Sequence, residues 1–184
     1  MNLRDKYDLY QLHTQKWLDA LQTYNDIEFQ LKPSEDDWSL SQVYDHIIQV
    51  TFKCLDNALL CSEEKGEKGH SGFGPALFSW MGAFPPLKLK VKKIPQGMEH
   101  IYNPKQIERS TAIEGLNKAL KKMQEALPAI EKASKDQRIK HWAGGWFNAS
   151  QWYHSAEMHI KHHFRQKKRL EQFIKKQNSN TFEK

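Results

Sequence analysis

Apolar residues recur at helical spacing in four stretches of the chain, which cover about residues 3–30, 39–61, 105–133 and 149–176. The second stretch is the clearest, because its apolar positions follow at steps of four, three and four residues: Val43, Ile47, Val50 and Cys54. Ser39 stands before this seam, and Gln42 lies three residues after Ser39. This combination is typical of an N-terminal capping box. Four amphipathic segments with little sign of β structure predict an all-α protein, a four-helix bundle.

The two later stretches give expectations about where their helices begin and end. Pro128 lies within the third stretch, and we expect it to kink or split the end of that helix because proline lacks a backbone N–H. A predicted loop of sequence KHWAGGWF, residues 140–147, comes before the fourth stretch. Asn148 or Ser150 would then cap the fourth helix.

Residues 62–104 separate the second and third stretches and are rich in glycine and proline. Sequences such as GEKGHSGFG and FPPLKLKVKKIPQG cannot form long helices, so we expect an irregular excursion with a short strand at about Leu87–Ile94. Aromatic residues in the middle of the excursion argue against disorder: Phe73, Phe78, Trp80 and Phe84. We therefore predict a single domain over residues 1–184, with this long crossover between helices two and three.

Composition and charge narrow the classes of protein further. The chain has 184 residues, of which 39% are hydrophobic, and a formal net charge of +6, which suits one folded domain and excludes a disordered chain. No apolar run is long enough for a transmembrane helix, and the charged N-terminus lacks the apolar core of a signal peptide. Cys54 and Cys61 lie in one predicted helix and are poorly placed for a disulfide. We expect a cytoplasmic protein without a membrane partner.

Basic residues gather in three runs that could contact phosphate groups: Leu87–Lys93, Lys118–Lys122 and Arg165–Lys176. No recognition motif for nucleic acid accompanies these runs. Solvated helix faces and an exposed strand explain these runs better, because charged residues commonly cover such surfaces. We therefore expect no nucleic-acid partner.

The fourth stretch has a seam whose steps alternate between four and three residues, the register that points into a bundle core: Trp152, Ala156, His159, His163, Gln166, Leu170 and Phe173. The middle of this seam is polar, and burying polar side chains costs free energy unless each of them finds a partner. A break of the core pattern in one patch indicates a functional site.

The histidines of this seam suggest a metal site. His159 and His163 are four residues apart, so their rings lie on one helix face, one turn apart, and could bind one ion together. A third ligand would have to come from a facing helix, and His46 lies on the apolar seam of the second helix. His154 falls on the opposite side of the fourth helix from His163, and His162 lies off the seam.

The other histidines are less well placed for such a site. His141 lies in the loop before the fourth helix and is a candidate neighbour of the site. Three further histidines have no convergent partner: His13, His70 and His100. The residues alone leave two interpretations open, a metal site or core histidines that are hydrogen-bonded to their surroundings. They identify no general base, since Asp45 and Glu157 adjoin ligand candidates in sequence but point away from them.

Two blocks of the sequence resemble the DinB-like superfamily. The block WSLSQVYDHIIQV (Trp38–Val50) is similar to the first family signature, in which a capped helix places a histidine inward. The block HWAGGWFNASQWYHSAEMHIKHHFRQKKRL (His141–Leu170) is similar to the second, a loop and then a helix with H-x-x-x-H and a glutamine three residues later. Family members often have proline after the loop histidine, where this chain has Trp142. The excursion at Phe84–Pro95 is longer than in minimal members.

The resemblance implies a four-helix bundle of up-up-down-down type that holds a divalent metal, commonly nickel or zinc, on His46, His159 and His163. It also implies a homodimer and an activity on a small molecule, by hydrolysis or by S-transfer with a low-molecular-weight thiol. Candidates for contact with the ligands or the substrate are Gln166, His141 and Trp152. Two other functions stay open: a non-catalytic, stress-related bundle that binds a metal or ligand, and a basic interaction protein whose histidines are structural.

Overall fold

The computed structural model describes residues 2–68, 97–141 and 145–182, apart from the side chains of residues 181 and 182. In chain order its elements are α1 (Leu3–Leu21), α2 (Asp26–Gln30), α3 (Leu40–Ser62), α4 (Glu99–Tyr102), α5 (Arg109–Lys132), β1 (Arg138–His141), β2 (Gly145–Asn148), α6 (Ala149–His162) and α7 (Phe164–Phe182).

Capping boxes begin four of these helices, so local sequence defines where the helices start. The capping residues are Asn2, Asn25, Ser39 and Asn148. The Gln42 N–H donates to the Ser39 hydroxyl at 3.3 Å, while the Ser39 N–H donates to the Gln42 side chain at 3.1 Å. The predicted capping box at the start of the second helix is confirmed, and Asn148 rather than Ser150 caps α6.

The helices α1, α3, α5 and α6 pack around one apolar core, in which α1 and α3 each contact both α5 and α6. Large aromatic side chains fill its centre, among them the fully buried Trp17, Tyr44 and Tyr153. The Tyr44 hydroxyl donates to Trp17 O at 2.7 Å, and the Tyr153 hydroxyl donates to Met123 O at 2.9 Å, so the polar atoms of these rings are satisfied. The prediction of an all-α four-helix bundle is confirmed.

Helix boundaries differ from the predicted segments in two places. The segment at about 3–30 consists of α1 and α2, because Asn25 starts a new helix with its own capping box. The segment at about 149–176 is divided into α6 and α7, with His163 between them. The backbone of His163 is nevertheless helical, and its carbonyl accepts from the Lys167 N–H at 2.9 Å, so the two helices follow one path.

Pro128 does not split its helix, since α5 continues through it to Lys132. The proline lacks the N–H that would donate to the carbonyl four residues before it, but it lies close to the C-terminal end, so only the last few residues of the helix lie beyond the lost bond. The buried side chains of Leu127 and Ile130 hold this last part of α5 on the core. The expectation of a split helix is therefore wrong.

The prediction of a loop over residues 140–147 is also wrong, because most of this segment belongs to an antiparallel hairpin. β1 pairs with β2, and Ile139 lies opposite Phe147. Such apolar and aromatic residues favour strand pairing, but strands of four residues are too short to show an alternating pattern in the sequence. On the other edge of β1 the Glu67 N–H donates to Arg138 O at 2.8 Å, and the Arg138 N–H donates to Glu67 O at 3.0 Å.

Part of the predicted excursion forms α4, which packs against α3. The strand predicted at about Leu87–Ile94, the central aromatic residues of the excursion and Trp142 lie outside the described residues. Within the described ranges, no helix combines the length and the apolar character that crossing a lipid bilayer requires.

Candidate metal centre

Three imidazoles meet where the N-terminal part of α3 faces the end of α6. His46 lies in the second turn of α3, His159 lies in the last turn of α6, and His163 directly follows α6. The Nε2 atoms of His46 and His163 each lie 3.2 Å from His159 Nε2. The three ligand atoms lie within 4.8 Å of one another. The fold thus brings together the three histidines that the sequence pattern and the family resemblance pointed to.

The Nδ1 atoms of two of these rings are hydrogen-bonded to oxygen atoms. His46 Nδ1 lies 2.7 Å from the carbonyl oxygen of Ile101 in α4, and a carbonyl only accepts, so this Nδ1 carries the proton. His163 Nδ1 lies 2.8 Å from Gln166 Oε1 and donates to it in the same way. In the neutral rings, the Nε2 atoms of His46 and His163 therefore both turn lone pairs toward His159.

The two contacts between Nε2 atoms cannot both be hydrogen bonds. His159 Nε2 carries at most one proton in a neutral ring, so it can donate to only one of the two lone pairs that face it. A cation placed among the three rings would accept a lone pair from each of them. The arrangement is matched to a metal ion better than to a closed hydrogen-bond network.

Burial keeps the three rings neutral. It lowers the pKa of His46 from 6.5 to about 4. Burial, together with the neighbouring imidazoles, also lowers the pKa of His159 and His163 well below the ordinary value. Because neutral imidazole is the form that binds metal ions, the centre can bind a cation at neutral pH without first losing protons.

The spacing and the donor type indicate which ions fit. For metal–nitrogen distances of about 2.0–2.1 Å, adjacent ligand nitrogens lie roughly 2.8–3.4 Å apart in octahedral or tetrahedral coordination. The two spacings of 3.2 Å fall within that range. Imidazole suits zinc, nickel, copper and iron, whereas calcium and magnesium take oxygen ligands. Three protein ligands would leave at least one coordination position open to a small molecule.

Aromatic rings lie on two sides of the centre. The Trp38 ring is 4.9 Å from the ring of His46. On the hairpin side, the ring of His141 lies 5.0 Å from that of Trp152. Burial lowers the pKa of His141 to about 4, and this imidazole adds to the effect of burial on the pKa of His159. His141 is thus within electrostatic reach of His159, Trp152 packs against the ring of His141, and Gln166 contacts His163 directly.

Two contacts at the centre have no signal in the sequence. The carbonyl of Ile101 comes from the predicted excursion, and only the course of the folded chain brings it to His46. The carboxylate of Asp45 accepts from the Lys105 N–H at 2.8 Å and from the Gln49 amide at 3.3 Å. This carboxylate ties α3 to the segment after α4.

A second buried cluster lies on another face of α6. His13 Nδ1 in α1 lies 3.3 Å from one carboxylate oxygen of Glu157, and His154 Nε2 lies 3.4 Å from the other. Burial by itself would raise the pKa of Glu157, but the two imidazoles outweigh it and lower the pKa to about 2. The expectation that His13 has no convergent partner is wrong, because its partner lies on a helix distant in sequence. Among the described residues, only the first cluster brings three ligand atoms within 4.8 Å of one another.

Comparisons with known proteins point to one family. The family model described as the DinB superfamily matches residues 9–166, which is most of the chain. This match includes His46, His159, His163 and Gln166. No curated protein and no solved structure matches the chain significantly.

Proposed function

The chain belongs to the DinB superfamily, and we propose that it is a metal-dependent enzyme that acts on a small molecule, by S-transfer from a low-molecular-weight thiol or by hydrolysis. The observation that supports this best is the meeting of three neutral imidazoles, in which the Nε2 atoms of His46 and His163 each lie 3.2 Å from His159 Nε2. A set of three nitrogen ligands with an open position is typical of catalytic rather than structural zinc sites. Zinc or nickel is the proposed metal.

In this proposal, His46, His159 and His163 hold the metal through Nε2. The Ile101 carbonyl and the Gln166 amide oxygen orient two of the rings and make them more basic. When bound, the metal supplies a Lewis-acidic position at which a thiol or a water molecule is activated. The task of the chain is to fix the three nitrogens and leave that position open.

The aromatic surroundings give the proposed substrate an apolar setting. Trp38, His141 and Trp152 reduce the access of water, and charges interact more strongly where water is excluded. His141 is neutral and adjoins the centre, so it can accept a hydrogen bond from a bound molecule. We assign substrate contact to His141 and Gln166 on this basis.

The reacting thiol would come from a second substrate rather than from the chain. Cys54 and Cys61 are free and buried, and burial raises the pKa of their thiols to about 12 and about 11. Neither thiol is a nucleophile at neutral pH, because the thiolate is the reactive form. Buried, free thiols are typical of a reducing compartment. The proposed enzyme is accordingly cytoplasmic, and it is a homodimer as the family resemblance implies.

The test is the metal content of untagged protein purified without chelator, measured by inductively coupled plasma mass spectrometry. We expect about one zinc or nickel ion per chain, and almost none in the His159→Ala/His163→Ala double variant. His100→Ala is the matched control, since the side chain of His100 is exposed and is not one of the three ligands, so its loss should leave the metal content unchanged.

The outcomes separate the candidate functions. Protein that stays free of metal after incubation with zinc, nickel or manganese would contradict the proposal and favour structural histidines. Metal that is bound, without turnover in thiol-transfer or hydrolase screens, would favour the non-catalytic metal-binding bundle. Turnover that disappears together with the metal in the double variant supports the proposed enzyme.

A further inference from the structure

One side of α3 carries both a histidine of the centre and two side chains that hold a neighbouring segment of the chain. Asp45 lies three residues after Gln42, and His46 lies four residues after it, so all three belong to one side of the helix. Each of them forms a hydrogen bond to the backbone of residues 101–105, which comprise the end of α4 and the start of the connection to α5. The centre and this segment therefore share one surface of α3.

Two of these hydrogen bonds tie the segment to α3 just after α4 ends. The Gln42 side-chain amide donates to the Pro104 carbonyl at 3.0 Å, and the Lys105 N–H donates to one carboxylate oxygen of Asp45 at 2.8 Å. Asp45 is buried, and hydrogen bonds to a carboxylate are stronger than those between neutral groups. Its other oxygen accepts from the Gln49 amide at 3.3 Å, so the carboxylate is itself held by its own helix.

The position of the Ile101 carbonyl depends on these ties. Helix α4 is a single turn of four residues, and so short a helix is not stable by itself. The side chain of Ile101 is buried, but apolar packing has no preferred direction, whereas a hydrogen bond fixes both distance and angle. Lys105 lies only four residues after Ile101, so its bond to Asp45 limits how far the carbonyl can move away from His46.

The carbonyl in turn decides which nitrogen of His46 is free to bind a metal. It accepts the hydrogen bond from Nδ1, so Nε2 keeps its lone pair and faces His159 Nε2 at 3.2 Å. Without the carbonyl, the neutral ring can carry its proton on Nε2 instead, and that nitrogen then has no lone pair for a metal. A displacement of the segment would therefore remove one of the three ligands without changing any of the histidines.

We propose that Asp45 is a positioning residue of the metal centre. By accepting from the Lys105 N–H, it holds the Ile101 carbonyl against His46 and keeps that ring in the tautomer that binds metal through Nε2. Gln42 acts in the same way through a neutral and therefore weaker hydrogen bond. This inference rests on the proposed metal site, and it adds to the residues that set metal affinity one that is not itself a ligand.

A second route from Asp45 to His46 is its negative charge, since burial lowers the pKa of His46 and the charge of Asp45 opposes that effect. Two variants separate this route from the hydrogen bond. Asp45→Asn loses the charge but keeps an oxygen for the Lys105 N–H, and the Gln49 amide can turn so that its oxygen accepts from the new amide group. Asp45→Ala loses both the charge and the acceptor.

The first measurement is zinc affinity, by competition with a chromophoric chelator. Asp45→Ala should bind zinc about tenfold more weakly, the lower end of the effect that outer contacts have on metal ligands. Asp45→Asn should bind zinc with nearly the affinity of the wild type. Gln49→Ala is the matched control, because it removes the other partner of the carboxylate without touching the segment, and its zinc affinity should be unchanged.

The second measurement follows the tautomer of His46 in the metal-free protein. Imidazole nitrogen NMR at neutral pH distinguishes a proton on Nδ1 from one on Nε2. We expect the proton on Nδ1 in the wild type and in Asp45→Asn, and a mixture of the two tautomers in Asp45→Ala. A purely structural role of Asp45 would leave this distribution unchanged.

Gln42→Glu keeps the inference testable where Asp45→Ala does not fold. Glutamate can still form the capping box with Ser39, but it has no N–H to donate to the Pro104 carbonyl. This variant should weaken zinc binding and shift the tautomer of His46 in the same direction as Asp45→Ala. Its added negative charge would by itself favour a cation, so weaker binding cannot be an effect of charge.

Several results would overturn the assignment: wild-type zinc affinity in Asp45→Ala, an equal loss of affinity in Asp45→Asn, or a proton that stays on Nδ1 of His46 in Asp45→Ala. Where Asp45→Ala does not fold, unchanged affinity and tautomer in Gln42→Glu would have the same meaning. Wild-type protein that binds no zinc would contradict the proposed function instead. The tautomer measurement needs no metal and would still decide whether Asp45 orients His46.

Discussion

Helix α6 contributes to two buried clusters of histidines, and only one of them contains a carboxylate. Toward α1, His13 and His154 face the two oxygens of Glu157 at 3.3 and 3.4 Å. Toward α3, three imidazoles face one another, with Nε2 atoms 3.2 Å apart. Both clusters are largely buried, so burial by itself does not distinguish them.

The two clusters differ in the groups that face their imidazoles. In the cluster with Glu157, two imidazole nitrogens lie against a carboxylate whose pKa is lowered to about 2. The cluster with His46, His159 and His163 offers lone pairs that no acid of the cluster balances. We interpret the cluster that contains a carboxylate as structural and propose the cluster of bases alone as the site for a cation.

The most direct test of the difference between the two clusters is to remove two of the three histidines from the cluster without a carboxylate. The wild-type protein should gain about 2.7 kcal/mol of stability when free zinc or nickel reaches a hundredfold excess over its Kd, measured as a shift in Tm. The His159→Ala/His163→Ala variant should show no such shift, because two of the three ligands are gone. Glu157→Gln is the control and should keep the shift. A metal-dependent shift that persists in the double variant would contradict the assignment of the ligands.

Removal of the carboxylate should act on folding instead. Glu157→Gln should destabilise the protein by about 3 kcal/mol in urea unfolding, since it leaves two buried imidazoles without their anion. The folded-state pKa of Glu157 lies below its ordinary value of 4.5, so its stabilisation is present above pH 4.5 and is lost as the pH falls toward 2. The variant should lack this acid dependence while it still binds one metal ion. Loss of the metal in this variant would show that the two clusters are not independent.

A smaller effect is expected from the amide that orients His163. Gln166→Ala removes the acceptor at 2.8 Å from His163 Nδ1 and should weaken metal binding by about 10- to 100-fold. Gln172→Ala, at an exposed position of the same helix, is the matched control and should bind the metal normally. Competition with a chromophoric chelator measures both affinities. Equal affinities in the two variants would assign Gln166 to packing alone.

A further effect concerns the pH dependence of the metal-free protein. The folded-state pKa of His46 is about 4, below its ordinary value of 6.5, so below pH 6.5 the unfolded chain binds a proton that the folded chain does not. Stability should therefore fall by about 1 kcal/mol per pH unit between pH 6.5 and 4 through this group. His46→Gln should remove this group's share of the slope, while His159 and His163 keep theirs, and His100→Gln should change nothing. Urea unfolding at a series of pH values, in the presence of chelator, would show whether the slope is the same in all three proteins.

Much of the helical framework could be predicted because its signals are local. Ser39 and Gln42 mark the start of α3 within a few residues, and the steps between His159, His163 and Gln166 place them on one face of a helix. The short hairpin was missed, since strands of four residues give no pattern that stands out from a loop. The split at Pro128 was wrongly expected, because tertiary packing held the end of α5 in place.

The sequence by itself determined where most helices begin and that the histidines of the fourth predicted helix face inward, because capping and helical spacing depend on residues within a few positions of one another. Only the tertiary structure decided that His46 meets His159, that the Ile101 carbonyl fixes the tautomer of His46, and that Glu157 belongs to a different pair of histidines. The physical reason is distance along the chain. The protonation and the partner of a buried imidazole depend on atoms from other helices, and those atoms are brought to it only when the core packs.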